Sequence, residues 1–130
     1  MQKSIINPWQ WQNQLGYAQA VEVIQPTHTL YCAGQAAMDA DGRPIAADMS
    51  GQIDACLDNL ETVLQQAGYS LANVVRINFY TTSVPQFFAA YGQVIGRLSA
   101  GGCVPASTLV EVNALAFPEL MVEIEATAVK

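Results

Sequence analysis

The stretch Leu120-Met121-Val122-Glu123-Ile124-Glu125-Ala126-Thr127-Ala128-Val129 constrains the fold more than any other part of the chain. Side chains of a strand alternate between its two faces, so Val122, Ile124, Ala126 and Ala128 form one apolar face, while Met121, Glu123, Glu125 and Thr127 point the other way. Such a strand belongs in a sheet covered by helices on one side only, with its acids left on the other.

The covering helices are visible in the period. From Ser50 onward, Ile53, Cys56, Leu57, Leu60, Val63, Leu64 and Ala67 recur at spacings of three and four, and Gln52, Asp54, Asp58, Glu61 and Gln65 take the opposite side, which predicts an amphipathic helix. Asp48 or Ser50 can cap its start, and Gly68 supplies a left-handed stop. A second helix is announced by Ser83 and Pro85, carries Phe87, Phe88, Tyr91, Val94, Ile95 and Leu98, and ends at Gly101-Gly102. Between the helices, Val74–Thr81 alternates with Val75, Ile77 and Phe79 on one side and Arg76, Asn78 and Tyr80 on the other. Thr108–Val112 reads as a further strand. Tyr17–Val23 and Thr29–Ala33 read as a hairpin about the turn Gln25-Pro26-Thr27-His28, and Asp39–Pro44 as a loop. The order ββαβαββ predicts an α+β layer of about five strands with both helices on one sheet face, in a single domain over residues 1–130.

Charge and apolar content narrow the function. Apolar residues make up 52% of the chain and charged ones only 12%, against roughly 25% charged in an average protein, which predicts a surface partly covered by further copies of the chain. The open sheet face, with Glu123, Glu125, Arg76, Asn78 and Tyr80 among apolar neighbours, suits an inter-subunit surface with polar pockets. No uninterrupted apolar run of about 18 residues exists, so a soluble protein without membrane contact is expected, and the N-terminal segment has none of the features of a secretory leader, which predicts the cytoplasm. The net charge is −6, and Lys3, Arg43, Arg76, Arg97 and Lys130 are scattered, which argues against nucleic acid as a partner. Cys32, Cys56 and Cys103 are odd in number and contain no C-x-x-C pair, so neither a disulfide framework nor a zinc knuckle is spelled out.

Several segments together resemble the RidA/YjgF/YER057c/UK114 family over nearly the whole chain. They are Gly16-Tyr17-Ala18-Gln19-Ala20, Cys32-Ala33-Gly34-Gln35, Leu57-Asp58-Asn59-Leu60, Val74-Val75-Arg76, Pro105 through Val112, and Val122-Glu123-Ile124-Glu125-Ala126-Thr127-Ala128. The resemblance implies a chorismate-mutase-like α+β fold, with a mixed sheet of five to six strands and two helices on one face. It further implies a homotrimer around a central barrel, with small-molecule sites in the clefts between subunits. Active members hydrolyse 2-imino acids released by pyridoxal-phosphate enzymes to 2-keto acids and ammonia, and the resemblance implies neither metal nor cofactor.

Carried over by position, Glu123 matches the glutamate that orients the attacking water, Tyr17 a tyrosine lining the pocket, and Gly34 a glycine whose backbone approaches the ligand. The Leu109 carbonyl remains as a water holder. Ser107 stands where the family has its carboxylate-binding arginine; a hydroxyl replaces a guanidinium fork neither in charge nor in geometry. The family's reactive cysteine is Leu109 here, and its helical asparagine has no counterpart in Phe87-Phe88-Ala89-Ala90-Tyr91-Gly92-Gln93. The chain thus resembles the arginine-less branches.

Each candidate has a plainer reading beside it. Glu123 is either a partly desolvated base or a strand carboxylate at a wet interface, and Glu125 reads as a structural acid. Ser107 can donate a neutral hydrogen bond, but with His28 in a solvated turn no Ser-His-Asp set is formed. Cys103 is a candidate accessible thiol, whereas Cys32 and Cys56 read as core. Trp9 and Trp11 either roof the cleft or staple the N-terminal segment. Arg76 and Asn78 are the internal candidates to replace the arginine. The leading expectation is a trimer that binds a small, less acidic ligand and hydrolyses an imine or enamine with Glu123. The alternative is a non-catalytic binding or chaperone-like trimer, and an endoribonuclease is a third reading that the acidic balance opposes.

Overall fold

The structure is a computed structural model and describes residues 2–130. Along the chain these form β1 (Gln2–Ile6), β2 (Ala20–Ile24), β3 (Thr29–Tyr31), β4 (Gln35–Ala36), α1 (Met49–Gln66), β5 (Val74–Thr81), α2 (Val84–Ala89), α3 (Tyr91–Ala100), β6 (Ala106–Glu111) and β7 (Val122–Val129), with short 3-10 turns at Trp11–Leu15 and Leu71–Asn73. The architecture is α+β, with a mixed sheet as expected.

β7 is the spine of the main sheet. It pairs antiparallel with β3 and β4 along one side and with β5 along the other, and β5 pairs in parallel with β6, which forms an edge. Val122, Ile124, Ala126 and Ala128 all face inward with Ile77 and Phe79, and they pack against Ile53, Cys56, Leu57, Leu60 and Leu64 of α1 and Phe87, Val94 and Leu98 of the following helices. Fully burying one such aliphatic or aromatic side chain stabilises the fold by roughly 1.5–3 kcal/mol.

Helix α1 forms as its period dictates. Asp48 is the N-cap, its carboxylate accepting the Gly51 N–H at 2.9 Å, and beyond Gln66 the Gly68 backbone turns left-handed (φ +83°). Gln52, on the side assigned to solvent, is buried: its amide donates to the carbonyls of Ala47 (3.1 Å) and Glu119 (2.9 Å) and accepts the Met121 N–H (2.8 Å). It thereby ties the start of α1 to the approach of β7. Asn59 donates to the carbonyls of Ala36 and Met38, both at 3.0 Å, and holds β4 to the same helix.

Four features differ from the sequence reading. β2 and β3 do not form a hairpin: β2 pairs with β1 in a separate two-stranded sheet, a strand the sequence reading lacked, and β3 pairs with β7. The Thr27 and His28 N–H groups both donate to the Lys130 carbonyl (2.9 and 2.8 Å), so the intervening turn is anchored to the end of β7. The second helix is broken at Ala90 into α2 and α3, where hydrogen bonds of the i−3 type replace the α pattern. This break aims Phe87 into the core and leaves Phe88 half exposed. A register shift between Val74 and Arg76 puts Val74 rather than Val75 into the core. β6 begins at Ala106, so Ser107 lies in a strand and not in the preceding loop. Among the described residues no helix is long and apolar enough to cross a membrane.

Replacing Gln52 by leucine removes the buried amide that partners the Met121 N–H and the Ala47 and Glu119 carbonyls. The substitution is expected to destabilise the fold by about 2 kcal/mol or more, read as a lowered urea midpoint at unchanged slope.

Candidate functional site

β6 builds the first candidate cavity. In its register with β5, Ser107 lies beside Ile77 and Leu109 beside Phe79, so both side chains turn toward the helices, whereas Thr108 and Val110 turn to the open face. The Ala18 N–H donates to the Pro105 carbonyl at 2.9 Å and bridges Ala18 to Ala106, which brings Tyr17 alongside the same edge. Tyr17, Ser107 and Leu109 thus line one cavity of about 400 Å³ together with Leu15, Phe79, Val84, Phe88 and Tyr91. Its walls are aromatic and aliphatic. Phe79, Phe87 and Tyr91 form a packed cluster with centroids 5.4–6.3 Å apart, and Phe88 abuts Tyr91 at 5.7 Å. The Tyr91 hydroxyl donates to the Leu15 carbonyl at 2.8 Å, and burial raises its phenol above the ordinary value. The hydroxyls of Tyr17 and Ser107 are the other side-chain polar groups of the lining.

β4 and β7 build the second. Ala36 pairs with Glu123 and Gln35 with Ile124, so Gly34 is carried directly over the Glu123 side chain. A methyl group at Gly34 would lie 2.2 Å from the Glu123 carboxylate oxygen Oε1 and 2.8 Å from its carboxyl carbon. Only a residue without a Cβ lets the carboxylate rest there. Glu123 opens into a cavity of about 220 Å³ shared with Gly34, Tyr80, Val112, Leu115 and Glu125. The ion pairs among the described residues are those of Arg97 with Asp58 and Glu61, so Glu123 has no cationic partner there.

Glu125 is engaged differently. It accepts hydrogen bonds from the Tyr80 hydroxyl (2.5 Å) and the Asn78 amide (3.1 Å), which hold its carboxyl below the ordinary glutamate range and push the Tyr80 phenol up. Asn78 Oδ1 is buried without a partner. Arg76 donates to the Thr108 hydroxyl at 2.8 Å on this open face, so neither Arg76 nor Asn78 reaches the Ser107 cavity within the protomer and neither replaces the arginine there.

The five expected site residues therefore fall into two groups. Tyr17, Ser107 and Leu109 share one cavity and Gly34 and Glu123 another, on opposite sides of the sheet, since Ser107 lies beside inward-facing Ile77 and Glu123 beside outward-facing Tyr80. Phe88, Val84 and Leu15 were not singled out by the sequence as site residues; the double phenylalanine at the start of a helix signals an apolar face but not which ring is inward. Cys103 is not accessible: it is 2% exposed, its thiol lies 3.8 Å from the Val74 carbonyl, and burial pushes it up to about 12. Cys56 is likewise buried and pushed up to about 12, first by burial and then by the charge of Glu123, while Cys32 is only half-buried. Trp9 and Trp11 are both exposed; Trp11 touches Tyr17 edge-on at 6.2 Å, and neither lines the cavity. No group of three or more His, Cys, Asp or Glu able to hold a metal occurs among the described residues.

A small α+β protein with one helix-covered sheet face, one open face bearing carboxylates and a candidate cavity on each side of the sheet is the class that fold and site define. Residues 12–130 match the sequence model of the family described as Endoribonuclease L-PSP. A RutC family protein of Pyrococcus horikoshii is 32% identical over 115 residues, covering 88% of this chain and 86% of that one. The DfrA protein of Myxococcus xanthus is 34% identical over 114 residues, covering 87% and 84%. The crystal structure of YyfB from Yersinia pestis, of the conserved Rid protein family, superposes over the whole of both chains with a TM-score of 0.90 at 37% identity. That of a Mycobacterium tuberculosis member of the YjgF/YER057c/UK114 family covers 99% of this chain with a TM-score of 0.65 at 30% identity. The chain belongs to the RidA/YjgF/UK114 family.

Two outcomes follow from this geometry. Gly34→Ala is expected to fold and to swing the Glu123 carboxylate away, since the clash is with the free end of a flexible side chain; crystallography or NMR of the variant checks it. Because the folded Glu125 is held below the ordinary glutamate value, its contribution is present above that value and lost as pH falls through the lowered one. Tyr80→Phe is expected to flatten the acid side of a stability–pH profile by less than about 1 kcal/mol, the pair being largely solvated.

Proposed function

We propose that the protein is a homotrimer, of the arginine-less branch of its family, that binds a small molecule in clefts between subunits and hydrolyses an imine or enamine there. The observation that carries the reading is the Glu123 carboxylate resting on Gly34, free of any ion pair among the described residues and open to a cavity. Within one protomer this group and the Ser107 cavity lie on opposite sheet sides, and a rotational assembly can supply each cleft with one half from each of two neighbours. The half-exposed Phe88 and Val110 and the largely exposed Tyr31 are apolar surface that such an assembly would cover.

In the reaction, Glu123 accepts a proton from water as the water oxygen bonds to the imine carbon. That proton passes to nitrogen as the C=N π bond opens, giving an amino alcohol. Its hydroxyl proton then also passes to nitrogen as the C=O bond forms and the C–N bond breaks, and the carbonyl compound and ammonia leave. An enamine enters the same path after its β-carbon takes up a proton. Ser107 and Tyr17 offer neutral hydrogen bonds that position the ligand. The serine in place of a guanidinium favours a second reading, a trimer that binds its ligand without turnover. RNA cleavage has less support: Lys3, Arg97, Lys130 and Arg76 are held by Ala72, by Asp58 and Glu61, by Gly68 and by Thr108, and no basic side chain lines either half-site.

Ammonia release from freshly generated 2-imino acids and from neutral imines tests the proposal. Turnover is expected with the wild type and a drop of about 100-fold or more with Glu123→Gln. A folded trimer with no turnover above the spontaneous rate would leave the binding reading standing.

A further inference from the structure

The lining of the Ser107 cavity carries information about what it holds. Resting on the reading that this cavity is the ligand site, we infer that the ligand is an uncharged aryl-bearing imine or enamine without a carboxylate, and that the aryl group lies against Tyr17, Phe88 and Tyr91.

The first argument is charge. A carboxylate moved from water into an apolar pocket needs a cation or several donors to offset its lost hydration. The cavity supplies the hydroxyls of Tyr17 and Ser107, the Tyr91 hydroxyl being bound to Leu15. An acid beside the cavity adds repulsion: Glu111 accepts the Val84 N–H at 2.9 Å, and Val84 lines the cavity. Further copies of the chain bring only the same five cations. Lys3 donates to the Ala72 carbonyl at 2.7 Å, Lys130 donates to Gly68 at 3.0 Å and lies over the Tyr69 ring, and Arg97 is paired with two acids. Arg76 shares the face of Glu123 but sits opposite Thr127, with Glu125 opposite Asn78 between them. A ligand beside Glu123 therefore faces a second carboxylate before it reaches a guanidinium. Arg43 lies in the turn over Asp39–Arg43, its N–H held by the Asp39 carboxylate, and lines neither cavity.

The second argument is shape. A cavity of about 400 Å³ has room for far more than a two- or three-carbon ligand, and small-molecule sites begin at roughly 300 Å³. Its aromatic walls present ring edges and faces, and such surfaces favour another ring by offset or edge-on contact. Phe88, on the side chain run where the family's helical asparagine has no counterpart, is 49% exposed in the protomer and stands at 5.7 Å from Tyr91.

Phenylacetone and phenylpyruvate are a matched pair of ketone probes, differing by methyl against carboxylate, and acetone removes the ring. Calorimetric titration of the assembled wild-type protein is expected to show phenylacetone binding at least about tenfold tighter than either phenylpyruvate or acetone. Ser107→Arg is expected to reverse the first preference and Ser107→Gln, of similar length without charge, to leave it. Phenylpyruvate binding as tightly as phenylacetone, or neither aryl ketone binding, overturns the inference; should Ser107→Arg not fold, the wild-type ranking still decides. These affinities are equilibrium properties measurable equally in Glu123→Gln protein. Loss of the ranking with ammonia release intact therefore rejects the ligand class alone, and the ranking without ammonia release rejects hydrolysis alone.

Discussion

Burial of alternate residues of β7 beneath α1 is the constraint on which the molecule turns. Val122, Ile124, Ala126 and Ala128 enter a core with Ile53, Leu57, Leu60 and Leu64, and the pleat then leaves Glu123, Glu125 and Thr127 no choice of side. A slip of one residue would place two carboxylates in that core, so the hydrophobic energy that fixes the register also fixes the acids on the open face. Gln52 and Asn59 lock this arrangement from the helix, one holding the approach to β7 and the other holding β4.

What was legible in the sequence follows from how strongly burial writes a period. The limits of α1 differ by a residue or two from those expected, and Asp48 and Gly68 end it as their chemistry suggests, because an amphipathic helix between an apolar layer and water repeats its pattern over several turns. β7 was equally plain. Pairing was not: the alternation in Ala20–Ile24 shows a strand without naming its partner, and β1, mostly exposed, writes no clear period. The break at Ala90 was hidden because Phe87, Phe88 and Tyr91 satisfy a helical stripe whether or not the helix is continuous.

The arrangement of the candidate residues was not legible in the sequence. Ser107 and Leu109 sit on an edge strand whose two sides are both partly exposed, so no alternation of buried and polar residues tells which side they face. The parallel pairing with β5 settles it, and that is a long-range contact. Alternation along the strand puts Glu123 and Glu125 on one face without separating them; the resemblance singles out Glu123, and Glu125 reads as a structural acid. Hydrogen bonds from Tyr80 and Asn78 distinguish them, engaging Glu125 and leaving Glu123 to the cavity.

The close contact of Gly34 with Glu123 also bears on how such a chain can vary. Because the glutamate's carboxylate occupies the space a Cβ at position 34 would need, a side chain at 34 changes where that carboxylate rests rather than whether the chain folds. Shortening 123 removes the conflict, and glycine at 34 keeps the long acid in its present place. The orientation of Glu123 is therefore written in two places, half beside the two-residue β4 and half in β7, and covariation of the two positions across relatives would record where this contact has been kept.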